Sequence, residues 1–149
     1  MYTSIVVGTD GSPTARVAVA QAARLARSFD APLHVVRAYR PPSMTMAASA
    51  MWPAGGCAAE FEGYAATRQT IEDELAAVAI EVRRQSTKVE THAVPGDAAS
   101  ALLEVAAGTG SDLIVVGSKG MTGGRRVLGS VPNTVAHNAP CAVLVVKTC

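Results

Sequence analysis

Two kinds of apolar pattern alternate along the chain. Runs dominated by apolar residues occur at Ile5-Val6-Val7, Leu33 to Tyr39, Leu113 to Val116 and Ala142 to Val146. Such runs predict strands of a parallel sheet, with Ile5-Val6-Val7 and Leu113 to Val116 reading as buried. Between them, apolar residues recur at helical spacing: Ala18, Ala22, Leu25 and Phe29, then Ile71, Leu75, Val78 and Val82, then Leu102, Val105 and Ala106. These spacings predict amphipathic helices. Lys88 to Val94 alternates polar and apolar residues, which predicts a half-exposed strand near a sheet edge.

The punctuation between these segments agrees. Ser12 is placed to cap a helix with Pro13 at its first position, and Asp30-Ala31-Pro32 ends it. Arg40-Pro41-Pro42 cuts off the second strand. A stretch at 41–57, low in charge and rich in Pro, Met, Ala and Gly around Trp52, is longer than most connections and reads as a poorly ordered insert or a lid. A long helix is expected from about Ala58, with Glu72, Asp73, Glu74, Arg83 and Arg84 on its solvated face. Pro95-Gly96-Asp97 forms a turn with Asp97 as the next cap, Gly108 and Gly110 end that helix, and a short helix spans Ser130 to Asn138. The order β-α-β-α-β-α-β-α-β, without repeat or boundary, predicts one domain over 1–149. Its class is α/β, a three-layer α/β/α sandwich around a five-stranded parallel sheet. If strands two and three grow one way from strand one, strand four starts on the other side. The carboxyl ends of strands one and four then flank the switch point where ligands bind.

Composition narrows the function. A net charge of +1 and a pI near 7.8 argue against a nucleic-acid partner. No apolar stretch approaches the ~20 residues of a membrane span, and no signal-peptide pattern opens the sequence. The three cysteines, Cys57, Cys141 and Cys149, show no CxxC spacing, so a reduced, cytoplasmic setting is expected. Cys141 reads as a small core residue.

Candidate chemistry concentrates between Asp112 and Val131. Gly117, Gly120, Gly123, Gly124 and Gly129 are interspersed there with Ser118, Lys119, Thr122, Arg125 and Arg126. A glycine-rich passage from a strand into a helix frees backbone N–H groups and suits a phosphate; alone, it is equally a solvated cationic loop. The turn after strand one, Gly8-Thr9-Asp10-Gly11-Ser12, should meet it at the switch point. No G-x-x-x-x-G-K-[ST] or G-x-G-x-x-G is present, and Asp10 lacks the second acid of a receiver domain. His34, His92 and His137 lie on different elements without an acid or Cys partner at metal spacing, and each reads as a surface or packed histidine.

With VVGTDGS, LHVVRAY, VPGDAASALLEVA, DLIVVGSKG and GSVPNTVAHNAPCAVLVV, the chain resembles the universal stress protein family over nearly its whole length, the 41–57 insert apart. The family signature is Gly, two residues, Gly, nine residues, then Gly with Ser or Thr; here eight residues separate Gly120 from Gly129-Ser130. The resemblance implies a Rossmann-like, adenine nucleotide alpha hydrolase-like fold with strand order 3-2-1-4-5. It also implies a homodimer through Ala142 to Val146 and a stress-response regulator that binds ATP or another adenine nucleotide such as cyclic AMP.

Carried over by position, Asp10 resembles the acid that contacts the ribose or a phosphate-bound Mg²⁺, with Gly8 and Thr9 lining its turn. Ala38 resembles the position whose backbone reads adenine. Val116, Gly117, Gly120, Gly129, Ser130 and Val131 would contact ribose and phosphates, and Arg125 and Arg126 add charge. Pro132 replaces a frequent hydroxyl residue. No residue stands out as a catalytic base, so the expectation is a binding protein with at most weak ATP hydrolysis. A nucleotide-free dimeric scaffold and a slow ATPase are the alternatives.

Overall fold

A computed structural model of the chain describes residues 1–40, 56–85, 88–118 and 130–148. In order, the elements are β1 (Ile5–Gly8), α1 (Pro13–Phe29), β2 (Leu33–Tyr39), α2 (Gly56–Arg83), β3 (Val89–Pro95), α3 (Ala98–Thr109), β4 (Leu113–Gly117), α4 (Ser130–Asn138) and β5 (Ala142–Val146). The segment read as an insert or lid lies outside the described residues as far as 55, and so does the glycine loop over 119–129.

The five strands form one parallel sheet in the order β3-β2-β1-β4-β5. β1 is central because Ile5, Val6 and Val7 can be buried on both faces, and all three are fully inaccessible. Ile5 lies opposite Leu33 on one side and Leu113 on the other. Successive side chains alternate between two cores. Ile5, Val7, Leu33, Val35, Leu113 and Val115 pack against Ala18, Ala22 and Ala26 of α1 and Leu75 and Val82 of α2. Val6, Val36, Ile114 and Val116 pack against Leu102 and Val105 of α3 and Val135 of α4. Two helices on each face make the sandwich that the alternation of elements predicts.

The helix boundaries follow from their caps. Ser12 Oγ accepts the Ala15 N–H at 3.2 Å, and Asp97 Oδ1 accepts the Ser100 N–H at 3.0 Å. Asp30 and Gly110 end α1 and α3 in left-handed conformation. Gly108, expected to help end α3, lies within the helix; the single left-handed residue at Gly110 is enough to stop it. Glu74, expected on the solvated face of α2, pairs with Arg37 of β2, so β2 and α2 approach closely enough there to join them. Cys141 sits half-buried against the second core, and burial, with a smaller contribution from Asp112, raises its thiol pKa and keeps it protonated.

The amino end of the sheet is tied by side chains. Both carboxylate oxygens of Asp112 accept the Thr3 N–H, at 3.0 and 2.9 Å, and the Thr3 hydroxyl and Ser4 N–H donate at 2.9 and 3.2 Å. The buried Ser4 and Ser111 hydroxyls are 2.8 Å apart, and the Thr109 hydroxyl lies 2.7 Å from Ser111. At the edges, β3 exposes Glu90 and Thr91, while β5 exposes Ala142 and Leu144. Among the described residues no helix is long and apolar enough to cross a membrane.

Candidate functional site

The strand order places β1 beside β4 with their onward connections leading in opposite directions, which opens a crevice above the carboxyl ends of the two strands. The crevice encloses about 770 Å³, its mouth included. Gly8, Thr9 and Asp10 form one wall, and Val116, Gly117, Ser130, Val131 and Pro132 form the other. Val36 and Ala38 of β2 and Leu102 of α3 supply apolar surface, and Thr148 closes the rim beyond β5.

The first wall is held by its own side chains. The Thr9 N–H donates to the Val36 carbonyl at 2.9 Å, which continues the sheet by one residue. Asp10 Oδ1 then accepts the Ser12 N–H at 2.9 Å, and Thr9 Oγ1 accepts the Gly11 N–H at 3.2 Å. Gly11 adopts φ of 79°, a left-handed conformation that a side chain would strain. At Gly8 the constraint is space: a Cβ there would stand 3.1 Å from Leu102 Cδ1, so α3 packs close over the strand end.

The second wall is built through the buried Ser118, whose N–H donates to the Val146 carbonyl at 2.8 Å. Its hydroxyl accepts the Thr148 N–H at 3.1 Å and thereby fixes Thr148 at the rim.

Three helices begin at this crevice. Thr14 and Ala15 of α1, Ala98 of α3 and Ser130 of α4 line it, so three amino-terminal dipole ends face one space. Unsatisfied N–H groups and partial positive charge make such ends favourable for an anion. Asp10 is the sole acid lining the crevice among the described residues. An apolar interior with a donor-rich rim can take a flat, weakly polar ring inside and a charged group at the mouth.

The residues singled out from the sequence therefore converge. Gly8, Thr9, Asp10, Ala38, Val116, Gly117, Ser130 and Val131 line a single crevice. Gly120, Arg125, Arg126 and Gly129 lie outside the described residues. Sequence reasoning missed Leu102, Thr14 and Thr148 as lining residues. Thr148 carries no motif, although its place just past the strand next to β4 brings it to the carboxyl end.

The histidines require a correction. His34 Nδ1 and His92 Nε2 are 3.1 Å apart, and Glu90 Oε2 stands 3.5 Å from the same His34 nitrogen. Their elements are separate in sequence, but β2 and β3 are paired, with His34 opposite Glu90 and Val36 opposite His92. Burial lowers the His34 pKa; Glu90 opposes this and His92 adds to it, so the ring is neutral at physiological pH.

The fold is a doubly wound α/β domain with a crevice at its switch point. The sequence profile described as the universal stress protein family matches residues 1–147, and the chain belongs to that family. A universal stress protein of Methanocaldococcus jannaschii is 32% identical over 149 residues, covering 99% of this chain and 83% of the relative. One from Mycobacterium tuberculosis is 34% identical over 150 residues, covering 99% and 97%. The crystal structure of a universal stress protein in complex with cAMP superposes with a TM-score of 0.76 at 30% identity, covering 99% of this chain and 98% of that one.

Proposed function

We propose that this protein binds an adenine nucleotide, ATP or cyclic AMP, in the crevice between β1 and β4, and acts as a stress-response regulator through that occupancy. The observation that carries the reading is the meeting of three helix amino termini above an apolar slot at the switch point. The similar structure in complex with cAMP supports the choice of an adenine nucleotide. In this reading the base lies against Val36 and Ala38, with the Ala38 backbone reading its edge. Gly8, Thr9 and Asp10 flank the ribose. Val116, Gly117, Ser130 and Val131 line the path to the phosphates, with Gly120, Arg125, Arg126 and Gly129 completing it.

Mg²⁺ binds through few carboxylates and completes its shell with water and phosphate oxygens. Asp10, a single carboxylate in the crevice, fits an ion brought with ATP rather than an all-protein cage. Its Oδ1 already accepts from Ser12, so the side chain is oriented before any ligand arrives. No acid–base pair lines the crevice among the described residues, which favours holding the nucleotide over turning it over.

Heat denaturation of the purified protein, followed by mass spectrometry of the supernatant, tests the proposal. Near-stoichiometric adenine nucleotide, or calorimetric binding of ATP or cyclic AMP, is expected. Absence of both would defeat it.

The same reading includes a homodimer through Ala142 to Val146. The edge strand β5 is apolar throughout, and its Leu144 is 37% exposed. An uncovered apolar edge favours pairing with a second copy. Sedimentation should show a dimer at micromolar concentration and a monomer for Leu144→Lys; a monomeric wild type would refute it.

A further inference from the structure

At the amino-terminal half of β2 and β3, away from the crevice, three metal-ligand side chains converge on one point. We propose that His34, Glu90 and His92 form a binding site for a divalent transition-metal ion of the zinc class. One imidazole nitrogen from each histidine and a Glu90 carboxylate oxygen are the ligands.

The geometry follows from register. Glu90 and His92 are two residues apart on the edge strand β3 and so project from the same face of the sheet. His34 on β2 stands directly opposite Glu90, and its side chain is on that face too. The three ligand atoms lie within 4.8 Å of one another. Two ligands held by a tetrahedral ion at zinc–nitrogen distances are separated by about 3.4 Å. His34 Nδ1 is 3.1 Å from His92 Nε2 and 3.5 Å from Glu90 Oε2, values that bracket that spacing. The remaining adjustment falls on Glu90, whose side chain is 67% exposed and able to turn.

Chemistry points the same way. A hydrogen bond between the facing nitrogens of His34 and His92 needs an N–H on one and a lone pair on the other. A cation between them would take a lone pair from each facing nitrogen, with the donor ring carrying its proton on its other nitrogen and no proton lost. Two imidazoles and one carboxylate suit zinc and its neighbours better than magnesium or calcium. The set supplies three protein ligands and leaves the fourth position for water or an external ligand. His34 is 5% exposed, which fixes one ligand in the core, while the other two open toward solvent and give the ion an entry path. A bound ion would clip the edge strand β3 to β2.

The test uses the full chain, stripped with a chelator and then titrated with Co²⁺ as a spectroscopic probe and Zn²⁺ as competitor. One equivalent of Co²⁺ should bind, give the intense visible bands of a low-coordinate site, and be displaced by Zn²⁺. Glu90→Gln and His92→Gln, at positions open to solvent, should each weaken uptake at least about tenfold. Zn²⁺ should raise the melting temperature of the wild type and not that of H92Q. No Co²⁺ uptake by the wild type, or equal uptake by E90Q and H92Q, overturns the site.

Discussion

The two ends of the sheet are built by opposite means. At the amino end, side chains close the structure: Asp112 gathers Thr3 and Ser4, and the Ser4, Ser111 and Thr109 hydroxyls continue the chain of contacts. At the carboxyl end, glycines and helix starts hold space open, and side-chain hydrogen bonds are spent on shaping turns around a void. The parallel sheet enforces this division. Every strand leaves at the carboxyl end, so turns and helix amino termini accumulate there, while helix carboxyl ends return to the other. Stability and ligand recognition are therefore separable, and substitutions at the two ends should have different signatures.

The largest effect is expected at the open end. Asp10→Asn keeps an oxygen for the Ser12 N–H but removes the charge. Loss of a charge-assisted bond to the ribose or metal should weaken nucleotide binding about tenfold to hundredfold by calorimetry, with the melting temperature little changed. At the closed end, Asp112→Ala should cost about 1–2 kcal/mol in denaturant unfolding, discounted for partial exposure, and leave nucleotide affinity unaltered. A reversed pattern in these two variants would break the distinction. Ser12→Ala is intermediate, since Ser12 caps α1 and lines the crevice. It should cost about 1 kcal/mol of stability and reduce affinity modestly.

The smallest effect is a pH dependence. Burial pushes the Asp112 carboxyl up, but the Thr3 and Ser4 N–H groups and the Thr3 hydroxyl outweigh it and hold the folded-state pKa below the ordinary value. Such a group contributes stability in full above the unfolded carboxylate pKa of about 3.9, and loses it as pH falls through the folded value. The stability gap between wild type and Asp112→Ala should accordingly be constant near neutrality and narrow below about pH 4. A gap that widens on acidification would contradict this account.

Much of the fold was legible because local signals carried it. Ile5-Val6-Val7 announces a strand buried on both faces, and Ser12-Pro13 and Asp97 announce helix starts, all from neighbouring residues. About half of the described crevice residues were legible through the family motif, since Gly8, Asp10, Gly117 and Ser130 sit in recognisable strings. What escaped depends on contacts between distant segments. His34 and His92 meet across 58 residues, and only the register of β2 against β3 unites them with Glu90. Thr148 reaches the rim through Ser118, a partner 30 residues away with no local signature.

The Asp112 latch also bears on the order in which the molecule can assemble. Thr3 and Asp112 are 109 residues apart, and β1 gains its second neighbour only when β4 pairs with it. During synthesis, β1 and β2 can associate early, but one edge of the central strand stays unpaired until β4 has been made. Contacts of such long sequence separation form slowly, and an unpaired apolar strand is open to misassociation meanwhile. The crevice comes later still, because its rim needs Thr148. A chain not yet extended to Thr148 can have β1 and β2 paired but lacks the completed rim of the crevice, so the crevice is finished only after the sheet itself.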